Sequence, residues 1–277
     1  MFPKEPFQKN PALFYICTVL PATWLVTAIL FINPAVGLKS FTILMFIPAI
    51  AAAVFHKIQH TRPELFAKRV NARSLLFGSL YPILFVLLCA LVSRAANVAA
   101  VNIQKLPDLQ GIVTIFGSLV ASLFAVFGEE YGWRGYLLPR LTMRYGKVRA
   151  TVIVGIVWAL YHAPAVYFLA KTTGIGHPLL LCAIQACVAF TLSFPFSYCY
   201  YLSGNLLPVL FFHAIWNVVN TTVLGDIYKN QQGIMEGNLL LINAEGVLGL
   251  FLGAVCMCWF YKQLRKKPGM LPTVEKG

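Results

Sequence analysis

Apolar residues fall along this chain in eight long blocks separated by short polar segments. A helix needs about 20 mainly apolar residues to cross a bilayer. Eight stretches reach that length, at approximately 12–33, 37–56, 75–94, 111–137, 150–169, 179–202, 206–224 and 246–262. The pattern predicts an all-α, polytopic membrane protein with about eight transmembrane helices. It forms a single membrane-embedded domain over 1–277, with its polar motifs in a core at 111–224. The spans contain Pro21, Pro48, Pro82, Pro164 and Pro195, which a membrane bundle tolerates because neighbouring groups take up the freed carbonyls.

Composition agrees with the pattern. Hydrophobic residues make up 59% of the 277 and charged residues 11%, with a mean hydropathy of +0.74. A soluble protein carries about 25% charged residues, so an ordinary soluble enzyme, a disordered chain and a collagen-like repeat are all excluded. The seven cysteines (Cys17, Cys89, Cys182, Cys187, Cys199, Cys256, Cys258) all lie in apolar stretches and form no framework of spaced pairs. They read as small core residues, not as a disulfide scaffold. No internal repeat of the kind that many transporters carry is present.

The net charge of +13 has no nucleic-acid motif behind it, and no nucleic-acid partner is expected. Its distribution carries topological information instead. The N-terminal tail (Lys4, Lys9), the 57–74 loop, the 134–149 segment and the C-terminal tail (Lys262, Arg265, Lys266, Lys267, Lys276) hold 17 basic side chains, against 5 on the other side. Basic residues accumulate in cytoplasmic loops, which puts both termini in the cytoplasm and the 225–246 loop outside. Binding of anionic lipid is a second reading of the basic 57–74 loop.

Ionisable groups inside spans are costly and mark function by default. Here they are Glu129, Glu130, Arg134, His162 and His213, joined by Asn217, in the segments FGEEYGWRGYLLPRL (127–141), WALYHAP (158–164) and FFHAIWNVV (211–219). Glu130 and Arg134 are four apart on a helix, a spacing that brings them into an ion pair. Glu129 points elsewhere and is left as the unpaired acid. A carboxylate in a dry site beside a second one holds a proton readily and suits general-base work. His162 lies one turn after Trp158 and just before Pro164, where a local break is expected. His213 and Asn217 share one face. Counted from the basic side, Glu129 sits roughly 12–15 Å deep, His162 roughly 18 Å and His213 roughly 10 Å. The three segments therefore meet in one layer. A lone histidine in a span can be plain interhelical glue, but a second adjacent acid is not explained that way.

Glu-Glu-x-x-x-Arg, then an aromatic-x-x-x-His (Trp158, His162), then His-x-x-x-Asn, in that order, resembles the CPBP intramembrane proteases. That family includes the Rce1-type CAAX prenyl endopeptidases and bacterial abortive-infection or bacteriocin-immunity proteins. The resemblance covers 127–219, about a third of the chain. It departs from the usual pattern at Trp158, where phenylalanine is common; tryptophan keeps the packing role.

The resemblance implies an intramembrane endopeptidase whose catalytic residues are Glu129, His162, His213 and Asn217. Glu129 would activate water, His162 would hold that water or a metal, and His213 with Asn217 would stabilise the oxyanion. Glu130, Arg134 and Trp158 would support them. The family's chemistry is metal-free or zinc-dependent, and a zinc set here would be Glu129, His162 and His213. Substrates would be membrane-associated peptides or lipidated proteins, reached from the cytoplasmic half of a bacterial plasma membrane, through a cavity between the fourth, fifth and seventh spans. Oligomeric state is left open. The alternatives are a non-proteolytic immunity or scaffold protein of the same fold and an ion-coupled transporter.

Overall fold

A computed structural model describes residues 10–266. The tail lysines Lys4, Lys9, Lys267 and Lys276, used above for topology, lie outside the described residues. The helices in chain order are α1 (Pro11–Leu30), α2 (Pro34–Ser40) running through a 3-10 turn (Phe41–Phe46) into α3 (Ile47–Ile58), then α4 (Ala72–Ala95) and α5 (Leu109–Glu130). After α5 comes a π-helical turn (Tyr131–Leu137), followed by α6 (Leu138–Thr173), α7 (Pro178–Ser203), α8 (Leu207–Val223), the short α9 (Leu239–Ile242) and α10 (Val247–Lys266). Two three-residue strands, β1 (Ala99–Val101) and β2 (Met235–Gly237), pair antiparallel outside the bundle.

The protein is an all-α polytopic membrane protein. Among the described residues six helical segments are long and apolar enough to cross a membrane. One of them, Leu109–Thr173, is 65 residues long and breaks at Gly146, whose φ of 77° is open to glycine but strained for other residues. A further apolar helix, Leu207–Val223, has 17 residues. A figure of eight requires the 65-residue segment to count twice and α8 to count once.

The break at Gly146 replaces the one expected at Pro164, where α6 continues as a helix. Proline removes the amide hydrogen that would reach Leu160. The indole Nε1–H of Trp24 supplies it from α1, donating to the Leu160 carbonyl at 3.0 Å. The helix therefore continues unbroken where the sequence suggested a break.

In the bundle α6 packs along α7, α4 along α8, α10 against α7, and α5 against α8. One continuous core joins Tyr15, Trp133, Tyr136, Trp158, Phe196, Phe212 and Trp216. Of the cysteines only Cys89 and Cys199 are buried; Cys17, Cys187 and Cys258 face outward. The described ends sort as the charge pattern requires. The Leu206 amide bonds the Leu65 carbonyl, Asn205 bonds Lys68, and Arg140 bonds Gln59, which brings the 57–74, 134–149 and 203–206 segments to one end. At the opposite end β1 meets β2, Asn102 donates to Glu236, and Lys105 pairs with Glu236 at 2.9 Å.

Small residues let helices approach where the site is built. A Cβ at Gly128 would lie 2.5 Å from the Met45 carbonyl oxygen, and one at Gly132 would meet the Tyr15 hydroxyl and the Pro48 ring. On the same helix, Gly117 has nothing within 4 Å of a built Cβ. Gly128→Ala is therefore expected to lower the thermal midpoint of the detergent-purified protein, by a shift equivalent to about 1–3 kcal/mol of overpacking. Gly117→Ala should leave the midpoint unchanged or raise it, since alanine favours the helix.

Candidate functional site

Helix α5 ends in two adjacent acids, and both are buried. Glu130 is 0% exposed and Glu129 3%. A carboxylate in an apolar interior needs a counter-charge or several donors, and the two acids meet that need differently.

Glu130 is fully compensated. Arg134 Nη1 donates to both of its oxygens, at 2.9 and 3.1 Å, and His213 Nδ1 reaches Oε1 at 2.9 Å from α8. The expected four-residue ion pair forms, although across a π-turn instead of a regular α-helical one. Such turns are rare and recur at functional sites. The guanidinium is itself 0% exposed, and its Nε and Nη2 meet no acceptor. It lies over the faces of two adjacent rings, Trp158 and Phe196, at 4.6 and 4.7 Å from their centroids, so aromatic faces take the place of acceptors.

Glu129 has no cation. Its Oε2 accepts the indole N–H of Trp158 at 2.9 Å. The unpaired acid of the sequence reading is thus held by one neutral donor, and Trp158 does more than pack, since phenylalanine could not make this bond. Oε1 faces His162 Nε2 at 3.9 Å, beyond hydrogen-bond range. The imidazole's other nitrogen, Nδ1, lies 2.9 Å from the Trp158 carbonyl. A carbonyl only accepts, so Nδ1 carries the hydrogen, and in the neutral ring Nε2 presents a lone pair towards Glu129. Two acceptors therefore face one another across a distance suited to a small molecule that donates to both.

The three motif segments do converge. Glu129, Trp158, His162, His213 and Asn217 all line one cavity of about 520 Å³. Asn217 is half-buried in its wall, one turn beyond His213. Glu130 engages His213 through Nδ1, an arrangement that serves a hydrogen-bonding and a metal-ligating imidazole alike. Among the described residues no group of three His, Cys, Asp or Glu side chains is disposed to hold a metal ion.

The cavity has more walls than the expected three. Thr23 of α1, Phe41 to Met45 of the 3-10 turn, and Gln185, Leu192 and Phe196 of α7 contribute. It extends towards Asp226, Tyr228, Lys229 and Glu245, at the end away from the basic loops, whereas the sequence reading placed its opening on the basic side. Those residues were missed because they lie in a loop that hydropathy treats as external. The nearest available signal was the acidic content of 225–246.

Fold and site together define a polytopic membrane protein with a carboxylate–imidazole centre buried in its bundle. Residues 111–219, which include all three motifs, match the model of the family described as Type II CAAX prenyl endopeptidase Rce1-like. A stretch of 56 residues is also 38% identical to the CAAX prenyl protease 2 of Methanococcus maripaludis. That match spans 20% of this chain and 19% of the relative. The resemblance carried by the motifs is thereby shown over the segment that builds the site.

Removing Arg134 leaves Glu130 buried with only an imidazole beside it. Arg134→Met is expected to destabilise the protein by about 3–5 kcal/mol, and Glu130→Gln combined with Arg134→Met by less, since no bare charge remains. Thermal midpoints of the two purified variants make the comparison.

Proposed function

We propose that the chain is an intramembrane endopeptidase in which Glu129 activates water against a peptide bond. The observation that carries this reading is the facing pair of Glu129 Oε1 and His162 Nε2, 3.9 Å apart on the cavity wall. A water seated there donates one hydrogen to each. Glu129 takes a proton as the water oxygen attacks the carbonyl carbon, and it later gives that proton to the leaving amine as the C–N bond breaks. Trp158 holds the other carboxylate oxygen in place throughout.

The oxyanion falls to Asn217 and His213, which share the α8 face. Asn217 offers an amide N–H directly. His213 has its Nδ1 engaged by Glu130, so it donates from Nε2 only when both ring nitrogens carry hydrogen. Donors fixed in a dry cavity stabilise such a charge strongly. Glu130, Arg134 and Trp158 position these groups. Every step above is written for the chain's own residues, with zinc held by Glu129, His162 and His213 as the alternative.

Membrane-associated peptides or lipidated protein tails are the substrate class, and the relative's name points to prenylated proteins as one such group. The basic end of the bundle is proposed to face the cytoplasm of a bacterial plasma membrane. A cysteine placed at Arg69 should then react with a membrane-impermeant maleimide in inverted vesicles and not in intact cells.

A survey of new peptide termini in native membranes tests the activity, comparing wild type with Glu129→Gln at equal abundance. Termini that disappear with the substitution are the expected result, and they would identify the substrate. Unchanged termini, while the wild type still exerts its biological effect, would leave a scaffold or transport role. Treatment with a zinc chelator should leave the Glu129-dependent termini in place. Their loss, with recovery on adding zinc, would return Glu129, His162 and His213 to the metal set.

A further inference from the structure

The cavity has a second buried carboxylate that the proposed chemistry does not use. Glu245 lies in the turn between α9 and α10, is 9% exposed, and lines the same cavity as Glu129. Its Oε1 accepts the indole N–H of Trp216 at 3.0 Å, whereas Oε2 has no hydrogen-bond partner. A bare, buried carboxylate oxygen is costly and calls for a specific explanation.

The neighbouring donors are all committed. Gln185 Nε2 donates to the Glu245 backbone carbonyl at 2.8 Å, which fixes the direction of that amide and turns its Oε1 to the Tyr228 hydroxyl. Oε1 can only accept, and it faces the Tyr228 hydroxyl at 3.0 Å, beside the Glu245 carboxylate with which that hydroxyl also interacts. The Asn220 amide donates to Asn243 Oδ1, and the Asn243 amide to the Gly225 carbonyl. Lys229 is the one lysine or arginine among the cavity residues, and Asp226 Oδ2 holds it at 3.2 Å. Among the described residues, none makes a hydrogen bond to Glu245 Oε2.

Its position is equally specific. Trp216 follows His213 by one turn of α8, so one helix steadies the Glu130 cluster with one residue and Glu245 with the next turn. The cavity thus runs from the Glu129 centre to a second acid with no cation beside either. A cavity lined in this way attracts positive charge.

From this geometry we infer that Glu245 is a specificity residue that receives a cationic side chain of the bound peptide, close to the bond that is cleaved. The inference rests on the protease reading for calling that peptide a substrate. Trp216 anchors one carboxylate oxygen. A turn of the carboxylate about its Cγ–Cδ bond presents the other to the cavity, where an ammonium or guanidinium donates to it. The arriving cation supplies the missing hydrogen bond and the missing counter-charge together. A peptide with an apolar residue at the same place supplies neither.

The test uses the purified full-length chain and two probes, N-acetyl-leucyl-lysyl-leucine amide and the same tripeptide with norleucine in place of lysine. Thermal stabilisation is followed against peptide concentration for wild type, Glu245→Gln and Glu129→Gln. A charge-assisted hydrogen bond should make the lysyl peptide bind about tenfold more tightly to the wild type. Glu245→Gln should bring the two peptides within about twofold of each other, and Glu129→Gln should keep the preference. Equal binding of both peptides to the wild type overturns the inference and leaves Oε2 as the seat of a buried water. So does a lysyl preference that survives Glu245→Gln, or the absence of saturable stabilisation by the lysyl peptide. The wild-type comparison stands even if Glu245→Gln fails to fold. Binding is read without cleavage, so a lysyl preference without Glu129-dependent termini would retire the protease reading and keep the cation site. Glu129-dependent termini with no basic residue near the cut would do the reverse.

Discussion

A carboxylate with no exposure to solvent, placed inside an apolar bundle, is the constraint around which the rest of this structure is arranged. Glu130 cannot stay charged there without Arg134, and Arg134 cannot stay there without the ring faces it packs over. Those rings come from α6 and α7, and the third donor, His213, comes from α8. One buried charge therefore ties four helical segments to a single point. Close approach at Gly128 and Gly132 brings the α1–α3 region up against the same turn. The result is a rigid frame with its neutralised pair at the centre.

Glu129 gains its character by contrast with its neighbour. The two acids are adjacent in the chain, yet the π-turn and the helix geometry send one to a guanidinium and the other to an indole and a facing lone pair. With one acid's charge balanced, the other is left at the cavity wall without a counter-charge. Glu245 repeats the theme further along the cavity, with an indole on one oxygen and nothing on the other. Trp158 and Trp216 play matching parts, each giving a single neutral hydrogen bond that orients an acid without neutralising it.

Much of the architecture was legible in the sequence, because a bilayer leaves the backbone few choices. The backbone must satisfy its own hydrogen bonds in hydrocarbon, so an apolar block of sufficient length becomes a helix. The block boundaries agree with the helix ends within a few residues for most elements, as with 75–94 against Ala72–Ala95 and 179–202 against Pro178–Ser203. The Glu130–Arg134 pair was legible for a similar reason, since residues four apart on a helix meet whatever surrounds them. Pro164 misled because its effect depends on a distant donor. Trp24 lies 136 residues away in sequence, and nothing local announces that it will fill the gap.

The residues that meet at the cavity were thus written in three short motifs, and their convergence on one layer was expected from helix geometry. Which acid each histidine serves was not, because His162 and His213 are set by how α6 and α8 rotate against α5. The same holds for Trp158 as a donor, for the direction in which the cavity extends, and for Glu245, which belongs to a loop and enters the bundle only through tertiary packing. Local periodicity determines what lies on a helix and how far along it. The packing of side chains between helices decides which of those groups meet, and in this protein that decision separates an ion-paired acid from one that has no guanidinium beside it.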